Sequence, residues 1–175
     1  SKRAGSYVPL RDLIEEVGCD ATRYFLAARR ADSQLTFDID LAISQSNENP
    51  VYYIQYAHAR VCSMFRKLAN ESLSWDKENG LQQLSLLTEE AEKTLISKLG
   101  RYPEVLANAA KSFEPHQIAT YLKELASDYH SYYNAHKMII EDANLRDARI
   151  TLSEAARQVI QNGMAILGVS TPSEM

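Results

Sequence analysis

Residues 49–70 read NPVYYIQYAHARVCSMFRKLAN, and the fold is decided there. Asn49 followed by Pro50 is a helix start: an Asn side chain accepts from the unpaired N–H groups of a first turn, and Pro lacks the N–H that would go unused at the first helical position. At a helical period, Ile54, Ala57, Val61, Met64, Phe65 and Leu68 gather into one apolar stripe, which faces a core. Tyr52, Tyr56, Ser63 and Lys67 lie opposite, with Tyr53 and Arg60, two turns apart, on the flank. Tyr56 and Arg60 are four apart and can touch. Not one of the twenty-two residues is acidic, although Glu48 and Glu71 bracket them and the chain carries a net charge of -4.

Outward from this helix the chain reads as further helices. Upstream, residues 9–17 (PLRDLIEEV) form a short helix closed by Gly18. Asp20 can cap a second, running from residue 21 to about residue 30. Residues 35–40 (LTFDID) alternate apolar and polar, the one credible strand or extended segment. Downstream of about residue 68, the polar stretch 70–80 reads as a loop in which Trp75 pins the chain to the bundle. Helices then follow from residue 81 or 88 to 99, from 103 to about 112, from 115 to about 138, and from 145 or 152 to 167, where Gly168 ends the last. Four or five antiparallel helices with short connections make an all-α bundle.

Composition agrees: six Gly and five Pro in 175 residues argue against a loop-rich or all-β build. The acidic balance gives no global attraction for nucleic acid, so any such binding has to come from a local patch. Cys19 and Cys62 lack metal-ligand spacing and fit free thiols in a reducing, cytoplasmic setting. No apolar run approaches a membrane span. The chain opens on Ser1, as a piece cut from a longer protein would.

A second acid-free window, residues 129–140 (YHSYYNAHKMII), joins the first. Together they hold six of the ten tyrosines and three of the four histidines, the aromatic and cationic chemistry that stacks bases and meets phosphates. Tyr129, Tyr132 and His136 continue the apolar stripe of Ile118, Leu122 and Leu125, so they read as packed; Tyr133 and Lys137, one turn on, are the candidates for ligand contact. His58 falls beside the core stripe and reads as a structural, hydrogen-bonded histidine. Arg66 and Lys67 read equally as phosphate contacts and as solvated charges. Glu89, Glu90 and Glu92 read as helix-surface charges, and Glu141, Asp142 and Asp147 as a solvated turn. No metal-ligand spacing or Gly-rich phosphate loop is present. Aromatics with Arg also suit a protein-docking face, so the residues alone leave an RNA-binding module and a helical protein-interaction domain both open.

Residues 46–60 (SNENPVYYIQYAHAR) and 20–40 (DATRYFLAARRADSQLTFDID) closely resemble the arginyl-tRNA synthetases of bacteria, at the start of the anticodon-binding domain and just before it. Asp20-Ala21-Thr22-Arg23 is similar to the D-A-L-R motif that names the domain type, with Thr22 where Leu is usual. Ser1-Lys2-Arg3 is similar to the end of the synthetase signature loop, which places Lys2 as a remnant of the ATP-handling element. The resemblance runs the length of the chain and implies a linking segment over residues 1–46 and a helical anticodon-binding domain over 47–175. It implies a parent that joins arginine to its tRNA through an ATP- and Mg²⁺-dependent arginyl-adenylate. The chain itself would bind no cofactor or metal, hold no catalytic residue, touch no DNA or membrane, and work beside an upstream catalytic domain. The anticodon-binding domain of another class I synthetase is the nearer alternative. The tRNA-binding residues implied are Asn47 and Asn49 in the turn before the long helix, Tyr53, Tyr56 and Arg60 on it, Tyr133 and Lys137 later, and Met175 at the end.

Overall fold

A computed structural model describes residues 8–175; the Lys2 assignment lies outside them. Nine α-helices are seen among the described residues: α1 (Leu10–Val17), α2 (Cys19–Ala27), α3 (Ile39–Ile43), α4 (Pro50–Asn70), α5 (Lys77–Gln82), α6 (Glu90–Gly100), α7 (Tyr102–Ser112), α8 (His116–Ala135) and α9 (Ala143–Leu167). None of them is long and apolar enough to cross a membrane.

The long helix forms as its sequence dictates. Asn49 Oδ1 accepts from Val51 N at 3.1 Å, Pro50 takes the first helical position, and α4 runs to Asn70. Its stripe of Ile54, Ala57, Val61, Met64 and Leu68 is buried, while Phe65 is half-buried and packs on Trp75. Trp75 does pin its loop, donating to Thr151 Oγ1 at 3.0 Å.

The centre of the bundle is α9, which touches α4, α5, α6 and α8. Asp142 caps it, accepting from Asn144 N and Leu145 N. Its end closes on Gly168, left-handed at φ 69°, where Val169 N reaches Met164 O and Gly168 N reaches Ala165 O. The short α5 lies hard against α9 because Gly80 has no side chain: a Cβ there would overlap Thr151 Oγ1 and the Asp147 carbonyl. The core between α4, α6, α8 and α9 holds Ile54, Met64, Leu95, Leu122, Leu125, Tyr129, Tyr132, Ile150 and Ile160.

Several local expectations are corrected. No strand forms among the described residues: residues 34–38 find no pairing partner, Asp38 instead caps α3 through Leu41 N at 3.0 Å, and Ile39 and Asp40 enter that helix. Asp20 is not a cap; Gly18 starts α2, its carbonyl accepting from Thr22 N and Thr22 Oγ1. Residues 77–80 of the expected loop are helical, the first part of α5. α8 stops at Ala135 because His136 turns to an extended φ of -128°, so Lys137 leaves the helix.

Two carboxylates placed on the surface from sequence are buried. Glu92 has no exposure, closes a capping box with Glu89, accepts from Arg149 Nε at 2.9 Å, and takes the Tyr132 hydroxyl at 3.4 Å. Arg149 also donates to the Lys137 carbonyl at 3.0 Å. Asp147 is buried against Asn79, whose amide donates to Oδ2 at 2.9 Å.

Removing one partner of a buried ion pair strands the other charge, so Glu92→Gln and Arg149→Met should each cost about 3–5 kcal/mol in urea unfolding. The double variant Glu92→Leu/Arg149→Met should recover part of that loss. Additive costs in the double variant would mean that the pair is not coupled.

Candidate nucleic-acid interface

On the side of α4 away from the core, Arg60 is held between two aromatic rings. Its guanidinium carbon lies 4.8 Å from the Tyr56 ring centre and 4.9 Å from that of Tyr133 on α8. Nη1 donates to Asn134 Oδ1 at 3.0 Å and Nη2 to the Tyr56 hydroxyl at 3.3 Å. A guanidinium carries five N–H donors, so this arrangement fixes the group without using it up. The stack continues: Tyr56 lies parallel to Tyr52 at 6.1 Å and to His130 at 5.4 Å. Tyr56, Arg60 and Tyr133, with Ala59, Ser63, Arg66, Glu174 and Met175, border an open cleft of about 520 Å³.

Glu174 and Met175 form the other wall, at the end of a segment that begins at Val169. Val169 is buried. Ser170 donates from N and Oγ to the Asp20 carboxylate, and its carbonyl accepts from Gln55 Nε2 at 3.0 Å. The Pro172 carbonyl meets His58 Nδ1 at 3.0 Å. Arg66 Nη1 donates to Ser173 O at 3.2 Å and lies 3.6 Å from Glu174 Oε1. Met175 then stands between the Arg60 cleft and a second cavity of about 420 Å³, bordered by Asp20, Ser44, Gln45, Asn49, Tyr52 and Gln55.

The residues singled out from sequence therefore divide. Tyr56, Arg60, Tyr133 and Met175 meet at one cleft. Tyr53 does not: it packs against His130, ring centres 4.4 Å apart, and its carbonyl meets His130 Nε2 at 3.0 Å. Asn47 is exposed in the turn. Asn49 is buried, with its amide donating to Ala42 O and Ser44 O and its oxygen spent on the cap, so no polar atom is left over. Lys137 is exposed beside a neighbouring hollow that also includes Lys67, Glu71 and Tyr133.

Sequence reasoning passes over Asn134, His130 and Glu174. Asn134 and His130 give a signal, both lying beside Tyr133 in the second acid-free window; Glu174 gives none. The D-A-T-R motif gains a physical reading as well. Asp20 holds Ser170, and Arg23 Nε donates to the Leu167 carbonyl at 3.1 Å, a cation at the C-terminus of α9. Thr22 is buried and bonded to Gly18 O.

Burial holds two imidazoles below the usual histidine range. For His58 the loss of water is the main cause, opposed by the Pro172 carbonyl and reinforced by the Arg157 charge. For His130 burial again leads, opposed by the Tyr53 carbonyl and reinforced by Arg60. Both are thereby kept neutral, as ring-stacking and carbonyl-clipping groups rather than cations. Burial also raises the Tyr129 and Tyr132 hydroxyls far above the ordinary tyrosine value.

Residues 54–175 match the DALR anticodon binding domain. The chain is 57% identical over 175 residues to an arginine–tRNA ligase of Legionella pneumophila (strain Corby), a match that covers 100% of this chain and 30% of that protein. It thus spans about a third or less of the length of such relatives. Among solved structures, a Campylobacter jejuni chain assigned as an arginyl-tRNA synthetase superposes with a TM-score of 0.86 at 28% identity, covering 98% of this chain and 37% of that one. The Thermus thermophilus arginyl-tRNA synthetase superposes with a TM-score of 0.76 at 26% identity, covering 99% of this chain and 29% of that one.

A histidine whose folded pKa lies below its ordinary 6.5 takes up protons more readily when unfolded, so its contribution to stability is complete above that value and is lost as pH falls below it. Thermal unfolding should therefore come at a lower temperature at about pH 5.5 than at about pH 7.5, and His130→Gln should flatten that slope. An unaltered slope in the variant would remove His130 from the acid response.

Proposed function

The chain belongs to the DALR anticodon-binding domain family, and from that premise we propose that it is the tRNA-selecting part of an arginine–tRNA ligase. The observation that carries this reading is the Tyr56–Arg60–Tyr133 sandwich with Met175 across the cleft. RNA is read where bases are unstacked, and an anticodon loop offers such bases. A base entering the cleft meets the Tyr133 and Tyr56 rings as stacking surfaces. Guanidinium N–H groups not used by Asn134 or Tyr56 meet a base edge or phosphate. Arg66 and Lys67, exposed along the same helix, add attraction for the backbone. The exposed Asn47 offers its amide from the turn, whereas Asn49 shapes that turn. Tyr53 serves as a support that sets His130, and through it Tyr56. Lys137 serves as an outlying phosphate contact.

In this reading residues 1–46 join the domain to an upstream catalytic part, residues 47–175 hold the anticodon loop, and the parent works in the cytoplasm. Arginine, ATP and Mg²⁺ belong to that upstream part, where arginine is activated as an adenylate before transfer. The chain's own contribution is selection and docking, with no chemical step.

The test uses an arginine-accepting tRNA and the full-length ligase carrying single substitutions. Loss of a stacking ring is worth about 1–3 kcal/mol, so Tyr133→Ala should weaken tRNA binding by about tenfold or more, and Tyr133→Phe by far less. Arg60→Ala should weaken binding and reduce the steepness of its salt dependence. Aminoacylation should suffer through KM for tRNA, with ATP–pyrophosphate exchange unchanged wherever it can be measured. Wild-type affinity in both alanine variants would refute the assignment of this cleft.

A further inference from the structure

We infer that His58 is a positioning residue for the recognition cleft: Arg157 holds its imidazole in one tautomer, and the proton so placed clips the Pro172 carbonyl and sets where Met175 stands. The tautomer follows from the partners alone. A carbonyl oxygen only accepts, so Nδ1, at 3.0 Å from Pro172 O, has to carry the hydrogen. A guanidinium only donates, so Nε2, at 3.2 Å from Arg157 Nη1, has to present its lone pair. Arg157 is itself fixed: Glu154 takes both its Nε and Nη2 at 2.7 Å. A line of oriented bonds thus runs from Glu154 and Arg157 on α9, through His58 on α4, to the closing segment.

The segment's other polar ties are weaker anchors. Those through Asp20, Gln55 and Arg66 are exposed, and the Arg66–Glu174 pair is largely open to water. Among the described residues, His58 is the buried side chain that holds it by a hydrogen bond. Its remaining close neighbour, Cys62 Sγ at 3.8 Å from Nδ1, is too distant and too weak a partner to compete with the carbonyl. Pro172 lies three residues before Met175, so a shift at its carbonyl carries directly to the wall that separates the two cavities. The neutral imidazole this requires is favoured by the burial that depresses the His58 pKa. The role given to Met175 in recognition rests on the proposed function; the clip does not.

Asn and Gln separate positioning from mere filling of space. The change His58→Asn would place an amide N–H where Nδ1 now sits, whereas His58→Gln would place its amide where Nε2 sits. Methyl labelling of methionine in the 175-residue chain reads the outcome by NMR. Met64, Met138 and Met164 are buried reporters of the fold, and Met175, 51% exposed and beside Tyr52 and Tyr56, reports the segment. The expected result is a ring-shifted Met175 methyl in the wild type and in His58→Asn. In His58→Gln and in Arg157→Met the ratio of docked to undocked Met175 should fall by about fivefold, the factor one net hydrogen bond supplies, with the three buried methyls unmoved. Arg157 makes no hydrogen bond to the segment, so its effect has to pass through His58. A docked-to-undocked ratio in His58→Gln equal to that of the wild type overturns the proposal. Should either variant unfold, the ¹⁵N shifts of wild-type His58 decide it: an Nε2–H tautomer sinks the proposal and an Nδ1–H tautomer sustains it. Binding of an arginine-accepting tRNA is read in parallel. A Met175 that detaches without loss of affinity leaves the clip standing and removes Met175 from recognition.

Discussion

The bond between Glu92 and Arg149 is the constraint on which the geometry of the far end of the bundle rests. A carboxylate without exposure is tolerable only when its oxygens are occupied, and here Arg149, the Tyr132 hydroxyl and the Glu89 N–H occupy them. Arg149 uses a second nitrogen on the Lys137 carbonyl, just past the end of α8. One charge pair therefore ties the start of α6, the second turn of α9 and the end of α8. Tyr133 follows Tyr132 on the last turn of α8, so the ring that closes over Arg60 stands about 100° round the helix from the anchored one. The pair does more to define where α8 ends than to stabilise the bundle, since a buried ion pair contributes little net free energy over an apolar replacement.

A similar economy ties the first helices to the last. The Asp20 carboxylate holds Ser170 while Arg23 covers the carbonyl end of α9, three residues apart on one short helix. Between them Ala21 and Thr22 are buried, and Tyr24 reaches into the core to donate to the Ala119 carbonyl at 3.2 Å. At Thr22, where the D-A-L-R motif carries Leu, the hydroxyl donates to Gly18 O, and this bond allows a polar side chain to be buried there. Glycine at 168 suits the left-handed φ at the end of α9, and a Cβ there would push aside the Arg23 guanidinium that covers the α9 carbonyls.

What the sequence discloses and what it withholds follow a physical division. Asn49-Pro50, the α4 stripe and Gly168 are local signals, readable within a few residues, and each marks a real helix boundary or face. Glu92 reads like its neighbours Glu89 and Glu90 because its partner Arg149 lies 57 positions away, and Asp147 reads as solvated because Asn79 is 68 positions away. Lys137 joins the candidates by continuing a helical period beyond Ala135, which no local rule forbids; the carbonyl contact with Arg149 ends the helix first. At the cleft, the grouping of Tyr56 with Arg60 is legible as a spacing of four. Tyr133 is legible only as an aromatic on the edge of a stripe, and the packing of residues 169–175 over α4 is not legible at all.

The candidate cleft is assembled from three segments that have few degrees of freedom left. Arg60, a side chain with many rotamers, is confined between two rings and two hydrogen-bond acceptors before any ligand arrives. Tyr56 is confined in turn by Tyr52 and His130, and Met175 by the bonds along residues 169–175. Ordering a rotamer-rich side chain on binding costs about 0.5–1.5 kcal/mol, and here much of that cost falls on folding instead. Under the proposed function, association then depends on what the RNA brings: a base that fits between fixed walls, and a backbone that meets Arg66 and Lys67. In a chain of net negative charge, such a cleft favours discrimination over general avidity. A partner that presents phosphates but no unstacked base gains only the weak, salt-sensitive part of the interaction.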